Sequence, residues 1–362
     1  MKIVVFTAIQ NNGGIMQFTY ELTRTCIALG HEIVLYVPDK PGIIIPKDLI
    51  SISRKYGMQK DILGIMPKMI SVASSINSLK PDLFLCPDDC MYSIQVMRWV
   101  KSNIKKIMTI HDVSLHPGRK LDILRKILVF ISLRIYRFEG FKRSDIILLL
   151  SENSKKRFSN LYPKYVKKVR MMLMGAHAPV DVIPRKPIEY NDNKPYLLYF
   201  GRIEKYKGIS TLLKAFEVQE SNKVNLIIAG NGNLEPDEVD LCKNNDRVYL
   251  INRYIDNDEM VWLFKNAMYA VLPYVEASQS GVLPIAYHYG IPVIVSNIEG
   301  LRELVIQGET GFIFNDQESL ANILSELIHK GSTYSSSLSD ACLKFESDNF
   351  DWIKNLKSVL SE

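Results

Sequence analysis

The 362-residue chain lacks any apolar run of about 18 residues, the length that crosses a bilayer, so no membrane span is expected. Cysteine is scarce. Cys26, Cys86, Cys90, Cys242 and Cys342 are odd in number and scattered, and no second Cys/His pair follows Cys86 and Cys90 at zinc spacing. Neither a disulfide framework nor a zinc site is expected; the usage fits reduced thiols in a cytosolic protein. The opening "MKIVVFTAIQNNGG" lacks a signal-peptide cleavage pattern and reads as a first strand ending at a Gly-Gly turn. No G-x-G-x-x-G follows that strand, which disfavours a dinucleotide-dependent oxidoreductase. Charge imbalance is small, at +6, and local. Between Pro117 and Arg143 eight basic residues face two acids, so this segment carries the whole excess. No nucleic-acid-binding motif accompanies it, and nucleic acid is not an expected partner.

What is present is ordinary globular material, 47% apolar and 23% charged, in a chain long enough for two domains. Short apolar runs alternate with helical patterns: "KIVVFTA", then a helix over 15–29, then "HEIVLYVP", with "PDLFLCP", "KKIMTIH", "DIILLLS" and "KVRMMLM" following. Prolines 179, 184, 187 and 195 interrupt the pattern, and it restarts with "YLLYFG", "VNLIIAG", "RVYLIN", "YAVLPY", "PVIVS" and "TGFIF". Such alternation predicts two doubly wound, parallel α/β domains facing each other across a cleft. The expected division is 1–178, a linker over 179–194, 195–333, and a helical segment over 334–362 that packs back on the first domain.

In doubly wound sheets ligands sit where strands lead into helices, so the residues after each strand matter most. Gly13 and Gly14 follow the first strand, where a backbone can approach a ligand; a tight strand-to-helix turn accounts for them equally. His111 ends the "KKIMTI" strand, placed to hydrogen-bond a polar ligand or to serve the core. "GRIEKYKG" follows "YLLYF". Gly201 leaves room, and Arg202 and Lys207 can reach one site, where together they would bind a diphosphate. "GNGN" supplies Gly232, and Tyr254 and Ile255 could meet a flat base. After "YAVLPY" come Glu276, Ser278, Gln279, Ser280, Gly281 and Val282. These small polar residues before an apolar helix suit a loop with free N–H groups at a helix start, an anion site, or an ordinary cap. Together the set suits a nucleoside diphosphate carrying a sugar, with Glu276 on hydroxyls.

The second half closely resembles the retaining, GT-B-fold glycosyltransferases of glycosyltransferase family 4, through "LLYFGRIEKYKGISTLLKAF", "LIIAGNGNLEP", "FKNAMYAVLPYVEASQSGV" and "YGIPVIVSNIEGLRELVIQGETGFIF" in order. The first half matches more loosely, through the "NNGG" loop and its helix, "TIHD" and "FKRSDIILLLSENSKKRF". The family's Glu, seven residues, Glu pattern is broken: the second position holds Pro284, or Ile285 allowing one extra residue. The chain resembles a Ser-Gln-Ser-Gly variant in which Ser278, Gln279, Ser280, Gly281 and Val282 replace the missing carboxylate in holding the nucleotide.

The resemblance implies transfer of a sugar from a nucleotide-diphosphate donor to a hydroxyl with retention, in bacterial surface-polysaccharide synthesis. It implies His111, Arg202, Lys207 and Glu276 as catalytic residues. Gly13, Gly14, Gly201, Gly232, Tyr254, Ile255 and the 278–282 loop would bind donor. Arg202 and Lys207 would oppose the charge growing on the diphosphate, so no metal or cofactor is expected. No side chain is assigned as a covalent nucleophile, which fits a front-face reaction. A sugar-nucleotide epimerase of the same fold and a non-catalytic sugar-nucleotide binder are the alternatives.

In 117–143, Leu121, Leu124, Leu128, Ile131, Ile135 and Phe138 form one helical stripe, with Lys126, Arg134 and Arg137 opposite. Two readings stand: a core-packed helix with a solvated basic face, or a helix lying on an anionic inner leaflet near a lipid-linked oligosaccharide acceptor. The second makes the protein cytoplasmic and peripheral to the membrane.

Overall fold

In the computed structural model, residues 1–9, 13–40, 44–57, 62–113, 135–179 and 182–361 are described. The chain forms two compact units, Met1–Met174 with Trp352–Glu362, and Gly175–Asp351.

The first unit is built on β1 (Lys2–Phe6), β2 (Glu32–Pro38), β3 (Ser53–Tyr56), β4 (Leu83–Cys86), β5 (Lys105–Ile110), β6 (Ile146–Leu149) and β7 (Val169–Met171). They pair in the order β3-β2-β1-β4-β5-β6-β7, each adjacent pair parallel. Both faces of the sheet's centre are covered, so β1, β4 and β6 read as continuous apolar runs, whereas the edge strand β3, SRKY, is partly exposed. Alternate side chains divide the core in two. Ile3, Val5, Leu83 and Leu85 pack with Phe18 and Leu22 of α1 (Gly13–Ala28) and with Leu356 and Val359 of α13 (Trp352–Leu360). Val4, Phe6 and Phe84 pack on the other side with Met69, Val72 and Ile76 of α2 (Ile62–Ser78) and Ile94 of α3 (Met91–Trp99). A helix over 135–143, α4, and α5 (Glu152–Leu161) complete this layer through Phe141 and Phe158.

The second unit repeats the plan with β8 (Tyr196–Phe200), β9 (Asn225–Gly230), β10 (Val248–Asn252), β11 (Ala267–Leu272), β12 (Val293–Ser296) and β13 (Gly311–Phe314), in the order β10-β9-β8-β11-β12-β13. All adjacent pairs are parallel. Its helices are α6 (Ile209–Glu217), α7 (Pro236–Lys243), α8 (Asn257–Lys265), α9 (Val282–His288), α10 (Glu299–Arg302), α11 (Gln317–Ser337) and α12 (Ser339–Asn349). The start of α11 shows why a helix begins there: Asp316 accepts from the Ser319 N–H at 2.8 Å while Ser319 Oγ accepts from the Asp316 N–H at 2.9 Å. Both sheets have the doubly wound order whose direction of growth reverses once, between β1 and β4 and between β8 and β11. In sheets of this order ligands bind in the crevice beside the reversal, at the strands' carboxyl ends.

The structure redraws the boundaries. The first unit ends at Met174, and of 334–362 only the chain from Trp352 clusters with it. The stretch expected as a linker packs on the second unit from 182 onward. Arg185 pairs with Asp258 at 2.7 Å, Arg253 with Glu189 at 2.7 Å, and the Tyr190 ring packs 5.3 Å from Tyr196. All five cysteines are free. Among the described residues no helix is long and apolar enough to cross a membrane.

Candidate functional site

The crevice of the second sheet is flanked by the loop after β8 and the loop after β11. The first begins at Gly201, whose φ of +134° and N–H bond to the Ala229 carbonyl at 3.0 Å turn the chain off the strand. Ile203 then bridges to Gly232 of the loop after β9, and the Asn252 side chain clasps Gly232 at both its N–H and its carbonyl, each at 3.1 Å. A turn at Lys205–Lys207 ends in Gly208, which opens α6 at φ +66°. Any Cβ there would fall 1.9 Å from the Pro273 carbonyl oxygen, so the two loops touch backbone to backbone. The Val275 N–H seals the contact by donating to the Tyr206 carbonyl at 2.9 Å. Glu276 follows directly, half-buried.

The two cations of this loop are held differently. Arg202 is 67% exposed; its guanidinium donates to Glu204 at 2.8 Å and to the Tyr206 hydroxyl at 3.1 Å. Lys207 is half-buried, with its ammonium 3.5 Å from the centre of the Tyr274 ring and 5.0 Å from that of Tyr206. Burial lowers its pKa to about 8; the Arg202 charge pushes the same way, against Tyr206 and Glu204. Burial raises the Tyr274 phenol to about 12, opposed by its contact with Ser280 and by the Arg202 charge. Arg202 therefore acts on both Lys207 and Tyr274: the groups share one electrostatic neighbourhood.

The 278–282 loop differs from expectation. Ser280 is buried; its Oγ lies 3.4 Å from the Tyr274 hydroxyl and accepts the Val282 N–H at 3.2 Å. The Val282 amide is thus not free: a serine hydroxyl two residues upstream folds back onto it, as serine readily does beside a helix start. Helix α9 is short, at seven residues. Gly281 stays in the right-handed helical region, at φ −75°. Gln279 supplies a different feature. Its Oε1 is buried with no hydrogen-bond partner among the described residues, an acceptor that a ligand hydroxyl or N–H would satisfy. Val282 lies beside the first loop: a Cβ on Gly201 would sit 3.8 Å from its Cγ2. Pro284 and Ile285, where the second carboxylate of the motif would fall, are buried in α9.

Other expected residues fare unevenly. Tyr254 is exposed and Ile255 is buried. Their neighbour Arg253 is taken by Glu189 and Glu259, with Nη1 at 2.6 Å from Glu259, which anchors 182–194. A cavity of about 480 Å³ opens in the same unit where β8, β11 and β12 begin, lined by Lys186, Trp262 and Ser339 among others. It lies at the strands' amino ends, away from the crevice just described.

In the first unit, Gly13 and Gly14 start α1, while Asn11 and Asn12 lie outside the described residues. His111 follows β5. Its Nε2 lies 2.8 Å from the Pro87 carbonyl and so carries the hydrogen, and its ring meets Phe18 edge-on at 5.0 Å. Asp88 and Asp89, which the sequence did not single out, and Arg137, expected on a basic helix face, organise this end of the sheet. Asp88 accepts from Thr7 Oγ1 at 2.7 Å and from the Ala8 N–H at 3.2 Å, stitching β4 to β1 across the reversal. Arg137, 9% exposed, donates from Nε to Asp89 at 2.6 Å, from Nη1 to the Val113 carbonyl at 2.9 Å and from Nη2 to the Asp112 carbonyl at 2.6 Å. It therefore fixes the segment right after His111. Burial holds the Asp89 carboxyl above its usual range, with Arg137 the main opposing influence.

This corrects the expected basic helix face. Arg137 is a buried ion-pair partner, Arg143 pairs with Glu139 at 2.6 Å, and Phe138 packs in an aromatic group with Phe141, Tyr162 and Tyr165. Ile135 of the apolar stripe is exposed. Leu121, Leu124, Leu128, Ile131, Lys126 and Arg134 lie outside the described residues.

Two Rossmann-like parallel-sheet units, the second with a cationic loop at its strand-order reversal, constitute the GT-B fold class. Residues 12–174 match the family described as Glycosyltransferase Family 4, and residues 194–330 match that described as Glycosyl transferases group 1. The chain therefore carries glycosyltransferase domains of both types. Among curated relatives it is 32% identical over 139 residues to the capsular polysaccharide biosynthesis glycosyltransferase CapM of Staphylococcus aureus, covering 36% of each chain. It is 25% identical over 248 residues to the O-antigen chain mannosyltransferase B of Escherichia coli, covering 62% of this chain and 61% of that one. The matches thus span less than two thirds of these relatives' length. In fold it resembles Anabaena HepE in complex with UDP, with a TM-score of 0.78 and 16% identity over 100% of this chain and 99% of that one.

Proposed function

We propose that the protein is a retaining glycosyltransferase. It moves a hexose from a nucleoside-diphosphate donor, bound at the crevice of the second unit, to a hydroxyl acceptor in bacterial surface-polysaccharide synthesis. The observation that carries this reading is the pairing of Arg202 with a half-buried Lys207 at the strand-order reversal, where a desolvated ammonium is matched by a ligand of opposite charge. Relatives named for capsule and O-antigen synthesis, and a neighbour in fold whose structure holds UDP-glucose, support this biological setting and donor class.

In this reaction the bond from the anomeric carbon to the diphosphate breaks as the bond to the acceptor oxygen forms on the same face. The acceptor proton passes to the departing diphosphate oxygen. Arg202 and Lys207 stabilise the charge growing on that diphosphate, so the chemistry requires no metal. One such contact is worth about 2.7–4 kcal/mol in the transition state. Glu276 takes donor hydroxyls. Ser278 and Ser280 line the nucleotide, and Gln279 offers its unpartnered carbonyl to a ribose hydroxyl or a base N–H. Gly201, Gly232, Gly281 and Val282 bring backbone close, and Tyr254 and Ile255 face the base. On the first unit, Gly13, Gly14 and His111 are assigned to substrate binding. A lipid-linked oligosaccharide is the proposed acceptor, and a cytoplasmic protein peripheral to the membrane the proposed setting.

Incubating the protein with UDP-, GDP- and dTDP-sugars tests the assignment. Slow hydrolysis of one donor without acceptor, lost in Arg202→Ala, is the expected result. Epimerised sugar nucleotide in its place indicates the epimerase, and no turnover despite tight binding indicates a non-catalytic binder.

A further inference from the structure

The donor-site reading leaves open what holds a lysine at a position that disfavours its charge. Lys207 belongs to the turn before α6, and among the described residues it forms no ion pair with a carboxylate. Its ammonium sits over the face of Tyr274, 3.5 Å from the ring centre, and nearer to it than to the Tyr206 ring. Tyr274 is itself fixed from several sides. It is 1% exposed, its carbonyl accepts from Ser296 Oγ at 2.5 Å, and its hydroxyl lies 3.4 Å from Ser280 Oγ. Ser280 in turn caps the Val282 N–H at 3.2 Å. One side chain therefore touches the lysine with its face and the Ser-Gln-Ser-Gly loop with its tip, although the two lie on different loops.

The ring has the chemistry for this task. Its negative face attracts a cation without neutralising it, whereas a carboxylate at the same place would compete with a phosphate. A platform of this kind keeps the lysine's full charge available to an incoming anion. It also keeps the side chain from wandering into solvent, which removes the entropy of fixing it when the ligand arrives.

We propose that Tyr274 is a positioning residue for nucleoside-diphosphate binding: its ring face presents Lys207 to the ligand. This rests on the donor-site reading given above.

Two measurements test it. The first needs no ligand. In protein labelled with ε-13C lysine, the Lys207 resonance, assigned by its loss in Lys207→Arg, is expected upfield of every exposed lysine because of the aromatic ring current. The displacement should persist in Tyr274→Phe and vanish in Tyr274→Leu. A Lys207 signal at the exposed-lysine position in the unmodified protein overturns the proposal, whether or not the variants fold. The second is the dissociation constant for whichever of UDP, GDP and dTDP binds most tightly. Tyr274→Leu is expected to weaken it about tenfold, or 1.4 kcal/mol. Tyr274→Phe should stay within about threefold of wild type, as a cation–π platform without its hydroxyl would. Combining Tyr274→Leu with Lys207→Ala should give little beyond Lys207→Ala alone, because the two act as a unit. If Lys207→Ala weakens binding and Tyr274→Leu does not, the positioning role is wrong and the donor site stands. If none of the three nucleotides binds, or Lys207→Ala leaves binding unchanged, the donor-site reading falls and the proposal falls with it.

Discussion

Replacing Lys207 by methionine should make the ligand-free protein more stable while removing its response to nucleotide. Burial lowers the lysine from 10.5 to about 8. A shift of about 2.5 units at 1.36 kcal/mol each puts the penalty of holding the charge in the folded state near 3 kcal/mol. Methionine fills similar volume, keeps a favourable sulfur contact with the Tyr274 ring and carries no charge. Its loss of the cation–π attraction offsets about 0.5–2 kcal/mol of the gain. A net stabilisation of about 1–2 kcal/mol remains, or several degrees in the melting temperature of a unit the size of Gly175–Asp351. The pH dependence fixes the cause. Because the folded pKa is below the unfolded one, the unfolded chain binds the extra proton between the two values. The wild-type penalty is therefore complete below about pH 8 and gone above about 10.5. Thermal melts of wild type and Lys207→Met at pH 7, 8.5 and 10 should show the variant's advantage shrinking as pH rises. UDP, or the nucleotide that binds best, should raise the wild-type melting temperature and leave that of the variant nearly unmoved. A variant less stable than wild type at pH 7, with a gap that does not change with pH, would refute the reasoning.

Three further outcomes follow. Gly208→Ala combines a left-handed backbone with a Cβ 1.9 Å from the Pro273 oxygen, so denaturant unfolding should show a loss of at least about 2 kcal/mol, with weaker nucleotide binding as the loops part. Arg137→Ala leaves Asp89 buried without its cation and should cost about 3–5 kcal/mol at neutral pH. Burial already raises the Asp89 carboxyl, so the deficit should shrink in acid, where that carboxyl is protonated in the folded protein; a deficit independent of pH contradicts the assignment. The membrane reading of 117–143 predicts sedimentation with anionic liposomes at low salt, where each basic residue near the surface contributes about 1 kcal/mol. Since Arg137 is buried in an ion pair with Asp89, at most seven of the eight basic residues contribute, and absence of binding at low salt ends the reading.

Most of both sheets is legible in the sequence because strands buried on both faces must be apolar throughout, as "KIVVF" and "AMYAVL" are; the edge strand β3, "SRKY", is partly exposed, carries no apolar run and is not legible in this way. The loop from Gly201 to Gly208 is legible for the opposite reason: glycines and paired cations after an apolar run have little use in a core. Pairings between distant residues leave no such trace. Arg137 meets Asp89 across 48 positions, and Arg253 meets Glu189 across 64. Nothing local marks these residues as partners, so Arg137 reads as one more base on a basic helix and 179–194 as a linker. Tyr274 is hidden in the same way: "LPY" looks like the end of a strand, and only the fold brings Lys207 over its ring. The 278–282 loop fails on a finer scale. Its composition indicates available amides, but which amide Ser280 caps depends on its rotamer. The last helix carries an apolar stripe through Leu356 and Val359, and that stripe does not say which unit it covers.

The most direct test of the account is a crystal structure of the full chain with the donor nucleotide it binds best. The account predicts the diphosphate within hydrogen-bond distance of Arg202 and Lys207, with a donor group of the nucleotide on Gln279 Oε1. A nucleotide seated elsewhere, at the amino-end cavity beside Lys186 and Trp262 for instance, with both cations uncontacted, would contradict it.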